Sequence, residues 1–248
     1  MWRVAGGGAT GRSHLKTGLP CQDRFASAVL PNGIYYAAVA DGAGSAVMAE
    51  RGAETAVTTA MNSLGRALGE GRSDHVALLR EAASAAREAI LSEASQAGAD
   101  PRDFASTLLL VVASPDGGAA LQIGDGVIVV NEGDDEWCWV FWPQHGQYIN
   151  TTHFLTDDDY ADSLQAEPIS NKVMDIAVMT DGLEPLAISY SEKAAHRPFF
   201  QGMFSPLVAS GSDAELEQLK LALKSFLESD VVGSRSDDDV TIVLATRR

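Results

Sequence analysis

The sequence has few cysteines, few basic residues and no long apolar run. Its two cysteines, Cys21 and Cys138, lie far apart and outside any CxxC or Cys/His spacing, which argues against a zinc site and against a disulfide framework. No apolar run approaches the roughly 18 residues that a membrane helix needs, and no apolar segment follows a basic start. We therefore expect neither a membrane span nor a secretory signal, and we predict a reducing, cytoplasmic location.

Basic residues are outnumbered by acidic residues. The 18 Lys and Arg stand against 34 Asp and Glu, which gives a formal net charge of −16. A field of this sign repels nucleic-acid phosphates and anionic lipid surfaces, so we expect neither nucleic acid nor membrane as a partner. With 248 residues, 46% of them hydrophobic, the chain can bury a large core, and we predict one domain over residues 1–248.

The hydrophobic pattern comes in runs of strands and runs of helices. A hairpin is predicted at Pro31-Asn32-Gly33, because Asn-Gly accepts the positive φ angles of a tight turn. Strands are predicted at 25–30, 34–40, 107–113, 119–130, 137–142, 173–180 and 240–246, and helices at 45–68, at 76–94 and from an N-cap at Asp213. Because strands and helices do not alternate strictly, the pattern favours an α+β fold of antiparallel sheets covered by helices.

Five aspartates stand where the predicted strands begin, end or carry a lone charge: Asp23, Asp41, Asp125, Asp181 and Asp238. Asp125 falls inside the apolar run 119–130, where an unpaired charge is costly. Any single Asp-Gly pair is ordinary turn chemistry. Five such carboxylates together indicate the oxygen ligands of a hard cation, Mg²⁺ or Mn²⁺.

The order of these motifs resembles a known family. They are Cys21-Gln22-Asp23, Asp41-Gly42-Ala43-Gly44, Ala105-Ser106-Thr107, Gly124-Asp125-Gly126, Thr180-Asp181-Gly182 and Asp238-Asp239-Val240-Thr241-Ile242-Val243. Together they resemble the metal-dependent protein phosphatases, the type 2C serine/threonine phosphatases, over nearly the whole chain. The segment from Ser13-His14 to Asp23, and Asn150-Thr151-Thr152 to Leu155-Thr156, resemble a compact bacterial branch of that family.

This resemblance implies a four-layer α/β/β/α sandwich of two antiparallel sheets flanked by helices, with two Mn²⁺ or Mg²⁺ ions at one end. Asp41 would bridge both ions and the Gly42 carbonyl would bind one of them, while Asp181 and Asp238 would complete the other. Asp125 with Asp181 would hold a weaker third ion, and Asp23 would act through metal-bound water. Water activated by the ions would then attack the phosphorus of a phosphoserine or phosphothreonine in line.

Four positions depart from the family pattern, one of them Gln22, where the family often has Glu. Many members carry a phosphate-binding arginine five residues before the aspartate of the first motif, where this chain has Gly18. Lys16 and Arg12 are therefore candidate substrate-binding residues, with His14 a further candidate, and solvated loop charges are the alternative. Asp239 replaces the usual Asn, and Ala43 stands where a histidine is common.

The resemblance implies a protein phosphatase acting on a phosphoprotein, with a cognate Ser/Thr kinase in the same pathway. The absent arginine at position 18 supports an alternative, a non-catalytic phosphatase-like module that binds or senses phosphoproteins. A second alternative is a structural domain that binds divalent cations and has no affinity for phosphate.

Overall fold

Two antiparallel five-stranded sheets form the centre of the protein in a computed structural model that describes residues 1–134, 136–144 and 152–248. The strands are β1 (Trp2–Ala9), β2 (Arg24–Val29), β3 (Tyr35–Ala40), β4 (Leu108–Ser114), β5 (Gly117–Ile123), β6 (Val127–Asn131), β7 (Cys138–Trp139), β8 (Gln165–Ile169), β9 (Asp175–Met179), β10 (Ile188–Ser189), β11 (Ala194–Ala195) and β12 (Val240–Arg247). The helices are α1 (Arg12–Thr17), α2 (Ala49–Gly69), α3 (His75–Ala97), α4 (Tyr160–Ser163), α5 (Glu184–Ala187), α6 (Arg197–Ala209), α7 (Asp213–Leu227) and α8 (Asp230–Gly233).

Each sheet brings together strands that are distant in sequence. Sheet I has the order β1-β12-β9-β6-β7 and sheet II the order β2-β3-β4-β5-β8, while β10 and β11 form a separate ribbon. In sheet I, Val243 of β12 is paired with Gly6 of β1 on one side and with Val178 of β9 on the other. Both ends of the chain therefore lie side by side in one sheet.

Side chains alternate between the two faces of each strand, and this alternation divides the core into layers. On β3, Tyr36, Ala38 and Ala40 pack against α2 and α3, whereas Tyr35, Ala37 and Val39 face sheet I. The outer face of sheet I packs in the same way against α6 and α7. The predicted four-layer α/β/β/α sandwich of two antiparallel sheets flanked by helices is confirmed.

The predicted strand 119–130 is wrong, because the chain leaves one sheet and enters the other at Gly124-Asp125-Gly126. Gly124 has a φ of +109°, and a Cβ on Gly126 would lie 2.8 Å from the Met179 carbonyl oxygen. β5 therefore ends in sheet II and β6 begins in sheet I. Asp125 lies at this crossover and not inside a strand.

Three shorter features refine the predicted elements. The hairpin at 31–33 is confirmed, although only Gly33 has a positive φ, +83°, as expected for a three-residue loop. The N-cap of α7 is Ser212 and not Asp213, because Ser212 Oγ accepts from Glu215 N at 3.3 Å in a capping box. Helix α1 was not predicted. Within the described ranges, no helix is long and apolar enough to span a bilayer.

Candidate metal centre

Three of the predicted aspartates converge at one edge of the sandwich. Asp41 follows β3 of sheet II, Asp181 follows β9 of sheet I, and Asp125 lies at the crossover between the sheets. One carboxylate oxygen from each of the three lies within 4.8 Å of the other two. Residues from both sheets are therefore needed to build this cluster.

Gly42, next to Asp41, can contribute only backbone to the cluster. The Thr107 N–H donates to the Asp41 carbonyl at 2.8 Å and the Ala43 N–H donates to the Ala105 carbonyl at 2.9 Å. Because residues 41 and 43 bond to that neighbouring segment, the Gly42 carbonyl between them points away from it. A Cβ at Gly42 would lie 2.6 Å from the Ala49 carbonyl oxygen, so a side chain does not fit there.

Asp23 is buried, with 4% of its surface exposed, and is held from sheet I. The Thr180 hydroxyl donates to Asp23 Oδ2 at 2.8 Å, while Asp23 Oδ1 has no hydrogen-bond partner among the described residues. The Arg24 guanidinium donates to the carbonyls of Cys21 at 2.8 Å and Asp23 at 2.7 Å, and it also pairs with Glu50. These bonds fix the loop that presents Asp23 to the cluster.

Burial and mutual repulsion raise the pKa of the clustered carboxyls. Burial is the main cause for Asp181, whose pKa rises to about 8, and the charges of Asp125 and Asp238 add to it. Burial also raises the pKa of Asp23 to about 7, against the lowering effect of its hydrogen bonds, and holds the pKa of Asp41 well above its ordinary value. Asp181 Oδ1, like Asp23 Oδ1, is buried with no partner among the described residues. The negative charge of these carboxylates is not balanced by nearby cationic side chains among the described residues, and bound divalent cations would balance it.

Asp238 lies beside this cluster but is not one of the three residues whose oxygens converge. It is exposed, is separated from β12 by Asp239, and accepts a hydrogen bond from the Asp239 N–H at 2.8 Å. Its charge contributes to the raised pKa of both Asp41 and Asp181. Asp238 is therefore close enough to act electrostatically on the site.

The sequence analysis missed Glu184, which stands beside Asp125. Glu184 is buried in α5, and burial together with the charge of Asp125 raises its pKa to about 7. The Tyr190 hydroxyl donates to Glu184, and the Thr152 hydroxyl donates to Asp125. Asn150 and Thr151, which carry part of the family resemblance, lie outside the described residues. A Glu three residues after Asp181, at the start of a helix, was the available signal.

Asp239 has a structural role that its place in a polar turn did not indicate. Its side chain is almost fully buried, with 2% of the residue exposed. Oδ1 accepts from the Gly11 N–H at 2.6 Å, and Oδ2 accepts from the Gln22 N–H at 2.6 Å and contacts His14 Nδ1 at 3.0 Å. His14 is thus a buried partner of Asp239 and not a solvated loop charge.

The two candidate substrate-binding cations both lie on α1 but differ in their surroundings. Arg12 forms an ion pair with Asp230 of α8. Lys16 is exposed, one turn further along α1. Gly18, at the position where many relatives carry arginine, ends this helix with a φ of +74°.

Comparisons with known proteins agree with this architecture. The sequence profile of the family described as Protein phosphatase 2C matches residues 10–224. Serine/threonine-protein phosphatase 3 of Escherichia coli (strain K12) is 34% identical over 249 residues, covering 98% of each chain.

Solved structures of similar proteins share the fold. A bacterial serine phosphatase superposes with a TM-score of 0.68 at 14% identity, covering 100% of this chain and 98% of that one. The catalytic domain of the phosphatase PstP, in complex with two manganese ions, has a TM-score of 0.65 at 17% identity, covering 99% and 97% of the two chains. The resemblance stated from the motifs is confirmed, and the chain belongs to the protein phosphatase 2C family of serine/threonine phosphatases.

Proposed function

We propose that the protein is a metal-dependent phosphatase that hydrolyses phosphoserine and phosphothreonine in a protein substrate. The observation that carries this proposal is the convergence of Asp41, Asp125 and Asp181 within 4.8 Å, at an edge where Asp23 is also buried. Gathered carboxylates need either protons or a counter-charge, because each raises the cost of ionising the next.

The residues present fit two Mn²⁺ or Mg²⁺ ions. Asp41, the Gly42 carbonyl, Asp181 and Asp238 would hold them, and Asp125 with Asp181 would hold a weaker third ion. All of these donors are oxygens, which hard cations prefer. When bound, the ions lower the pKa of water and offset the charge that develops on the phosphoryl oxygens.

Side chains would accept the proton of the attacking water and bind the substrate phosphate. Asp23 offers Oδ1, which has no partner among the described residues, as an acceptor for a proton of the attacking water, and the Thr180 hydrogen bond to Oδ2 restrains the carboxylate. Lys16 or Arg12 would bind the substrate phosphate. Of these, Lys16 is the stronger candidate, since the Arg12 guanidinium is already paired with Asp230.

One observation favours a second function for the same fold, a non-catalytic module that binds or senses phosphoproteins. The chain has Gly18 at the position where many relatives carry arginine, and the two arginines nearest to it in sequence, Arg12 and Arg24, form ion pairs with Asp230 and Glu50. Such a module would keep the metal ligands but turn over substrate slowly.

The wider setting is also part of the proposal. We infer that residues 1–248 form one domain, in support of which β1 and β12 pair along their whole length. A phosphoprotein substrate implies a Ser/Thr kinase in the same pathway. The free thiols of Cys21 and Cys138 support a reducing, cytoplasmic location, and the net charge of −16 disfavours nucleic acid and anionic membranes as partners.

Turnover of p-nitrophenyl phosphate and of a phosphothreonine peptide, each with Mn²⁺ and with EDTA, tests the function. We expect hydrolysis of both with Mn²⁺ and none with EDTA. Asp181→Asn should abolish turnover while the far-UV circular dichroism spectrum stays that of the parent. Phosphopeptide binding without hydrolysis would favour the sensing module, and full activity of Asp181→Asn at saturating Mn²⁺ would overturn the metal assignment.

A further inference from the structure

We infer that Asp239, together with His14, is a positioning residue that sets the metal-binding residues around Asp23, Gly42 and Asp238. The inference rests on the proposed metal centre. In this role the buried Asp239 carboxylate would orient the metal-binding residues without itself contacting the metals or the substrate.

The first step of the argument is the number of hydrogen bonds that converge on Asp239. Three N–H groups, from Gly11, Gln22 and His14, meet its two oxygens. An ionised carboxylate accepts at both oxygens, but an asparagine offers one acceptor oxygen and one NH₂ group. With Asn at position 239, at least one buried backbone N–H would face an N–H donor. The geometry therefore requires an aspartate at this position.

The second step is the connection from Asp239 to the metal-binding residues. Gln22, whose N–H is held at 2.6 Å, directly precedes Asp23, and its carbonyl accepts from the Gly42 N–H at 3.3 Å. The Asp239 N–H bonds back to Asp238 Oδ1 at 2.8 Å. One carboxylate thus links the segments that carry Asp23, Gly42 and Asp238.

The third step is the close packing of the N-terminal segment on this turn. A Cβ at Gly11 would lie 2.3 Å from the Asp238 carbonyl carbon, so the backbones are in direct contact there. The Ser13 N–H and the Ser13 hydroxyl both bond to the Asp237 carbonyl, at 3.0 and 2.8 Å. His14 of α1 also contacts Asp239, at 3.0 Å. A loss of the His14–Asp239 bond should therefore shift the position of Asp238.

The alternative is that Asp239 only stabilises the fold. Asp175 provides a matched control, because it is equally buried, at 3% exposed, and lies in the same sheet at the other end of β12. It accepts from the Thr246 hydroxyl at 2.6 Å and pairs with Arg248. A purely structural role predicts the same consequences for both aspartates.

The test is Mn²⁺ binding by calorimetry to the full-length parent, Asp239→Asn, His14→Ala, the double variant and Asp175→Asn, with melting temperatures in EDTA. Residues that orient metal ligands typically change metal affinity 10- to 100-fold when mutated, so we expect the Kd of Asp239→Asn to rise by about that factor. His14→Ala should show a smaller rise, and the double variant should be weaker by less than the product of the two. Asp175→Asn should lower the melting temperature but keep the parent Kd within about twofold.

Two results would overturn the inference: an Mn²⁺ Kd of Asp239→Asn within twofold of the parent, or an equal weakening in Asp175→Asn. If Asp239→Asn does not fold, His14→Ala decides, and an unchanged Kd in that variant refutes the pair. A parent that binds Mn²⁺ but does not hydrolyse phosphopeptide would contradict the proposed function while leaving the binding comparison valid. A parent that binds no Mn²⁺ would overturn both.

Discussion

The hydroxyl of Thr180, the residue after β9, donates to Asp23, the residue before β2, at 2.8 Å. The same hydroxyl oxygen accepts the Thr241 N–H at 3.0 Å. One side chain thereby joins the loop before β2 to the N-terminal end of β12, an interior strand of sheet I. Asp23 Oδ1 is then the oxygen of this carboxylate that has no hydrogen-bond partner in the described part of the chain.

Replacing Thr180 with valine removes both bonds without changing side-chain volume. We expect kcat/KM to fall at least tenfold, because Asp23 loses its orientation. The variant should also lose about 1–3 kcal/mol of stability, since buried polar groups are left unpaired. The matched control is Thr246→Val, which breaks the hydroxyl bond to Asp175 at the opposite edge. The role of Thr180 would be refuted by an equal loss of activity in both variants.

The metal-free protein should become less stable as the pH rises. Asp181, Asp23 and Glu184 have folded-state pKa values of about 8, 7 and 7, above the usual value near 4 of an unfolded chain. The native state therefore binds more protons than the unfolded state between about pH 4 and 8, so the stability that these groups contribute at low pH is lost as pH rises through that window.

Urea unfolding in EDTA at pH 6.0 and pH 8.5 measures this dependence. We expect a lower midpoint at pH 8.5 for the parent and a smaller pH effect in Asp181→Asn, because the variant lacks one of the titrating groups. A midpoint that is unchanged or higher at pH 8.5 would contradict the electrostatic description of the site.

Mn²⁺ should stabilise the fold, because it binds the native arrangement of carboxylates and not the unfolded chain. At a free concentration one hundred times its Kd, a ligand of this kind adds about 2.7 kcal/mol. We expect a higher melting temperature in millimolar Mn²⁺ than in EDTA, and a smaller difference for Asp181→Asn. Equal melting temperatures for the parent, with no heat of binding, would leave the aspartates as ordinary turns.

Lys16 and Arg12 can be separated by kinetics on a phosphothreonine peptide. A charge-assisted contact contributes about 1.5–3 kcal/mol, so Lys16→Ala should lower kcat/KM about ten- to a hundredfold. Arg12→Ala should have a smaller effect, because Asp230 already holds its guanidinium. If both variants stay within about twofold of the parent, neither residue binds the phosphate and the sensing module gains support.

Local patterns predict antiparallel sheets covered by helices and identify the carboxylates, while the four-layer arrangement is implied by the family resemblance. All six residues of β3 are apolar and buried, so which of them face the helices follows from strand geometry, whereas the Asp-Gly motifs identify where strands end. The run from 119 to 130 shows the limit of such patterns. Apolar residues flank Gly124-Asp125-Gly126 on both sides, so hydrophobicity could not reveal that β5 and β6 belong to different sheets.

Contacts between distant segments could not be predicted. Asp239 binds Gly11 and Gln22, which are 228 and 217 residues away, and nothing local to its turn indicates those donors. The ion pair of Arg12 with Asp230 is equally non-local. The family motifs named the metal-binding positions, but the hydrogen bonds that hold them arise only when both sheets are assembled.

The crossover at Gly124-Asp125-Gly126 has a kinetic consequence. Asp41 comes from sheet II, Asp181 from sheet I and Asp125 from the link between them, so no partly folded chain with one sheet alone contains the cluster. If the sheets dock after the folding transition state, Mn²⁺ stabilises only the native side of the barrier and slows unfolding without accelerating folding. Stopped-flow unfolding and refolding in Mn²⁺ and in EDTA would show this as a change in one arm of the chevron. The divalent ion would then give the folded protein kinetic stability without helping it to fold.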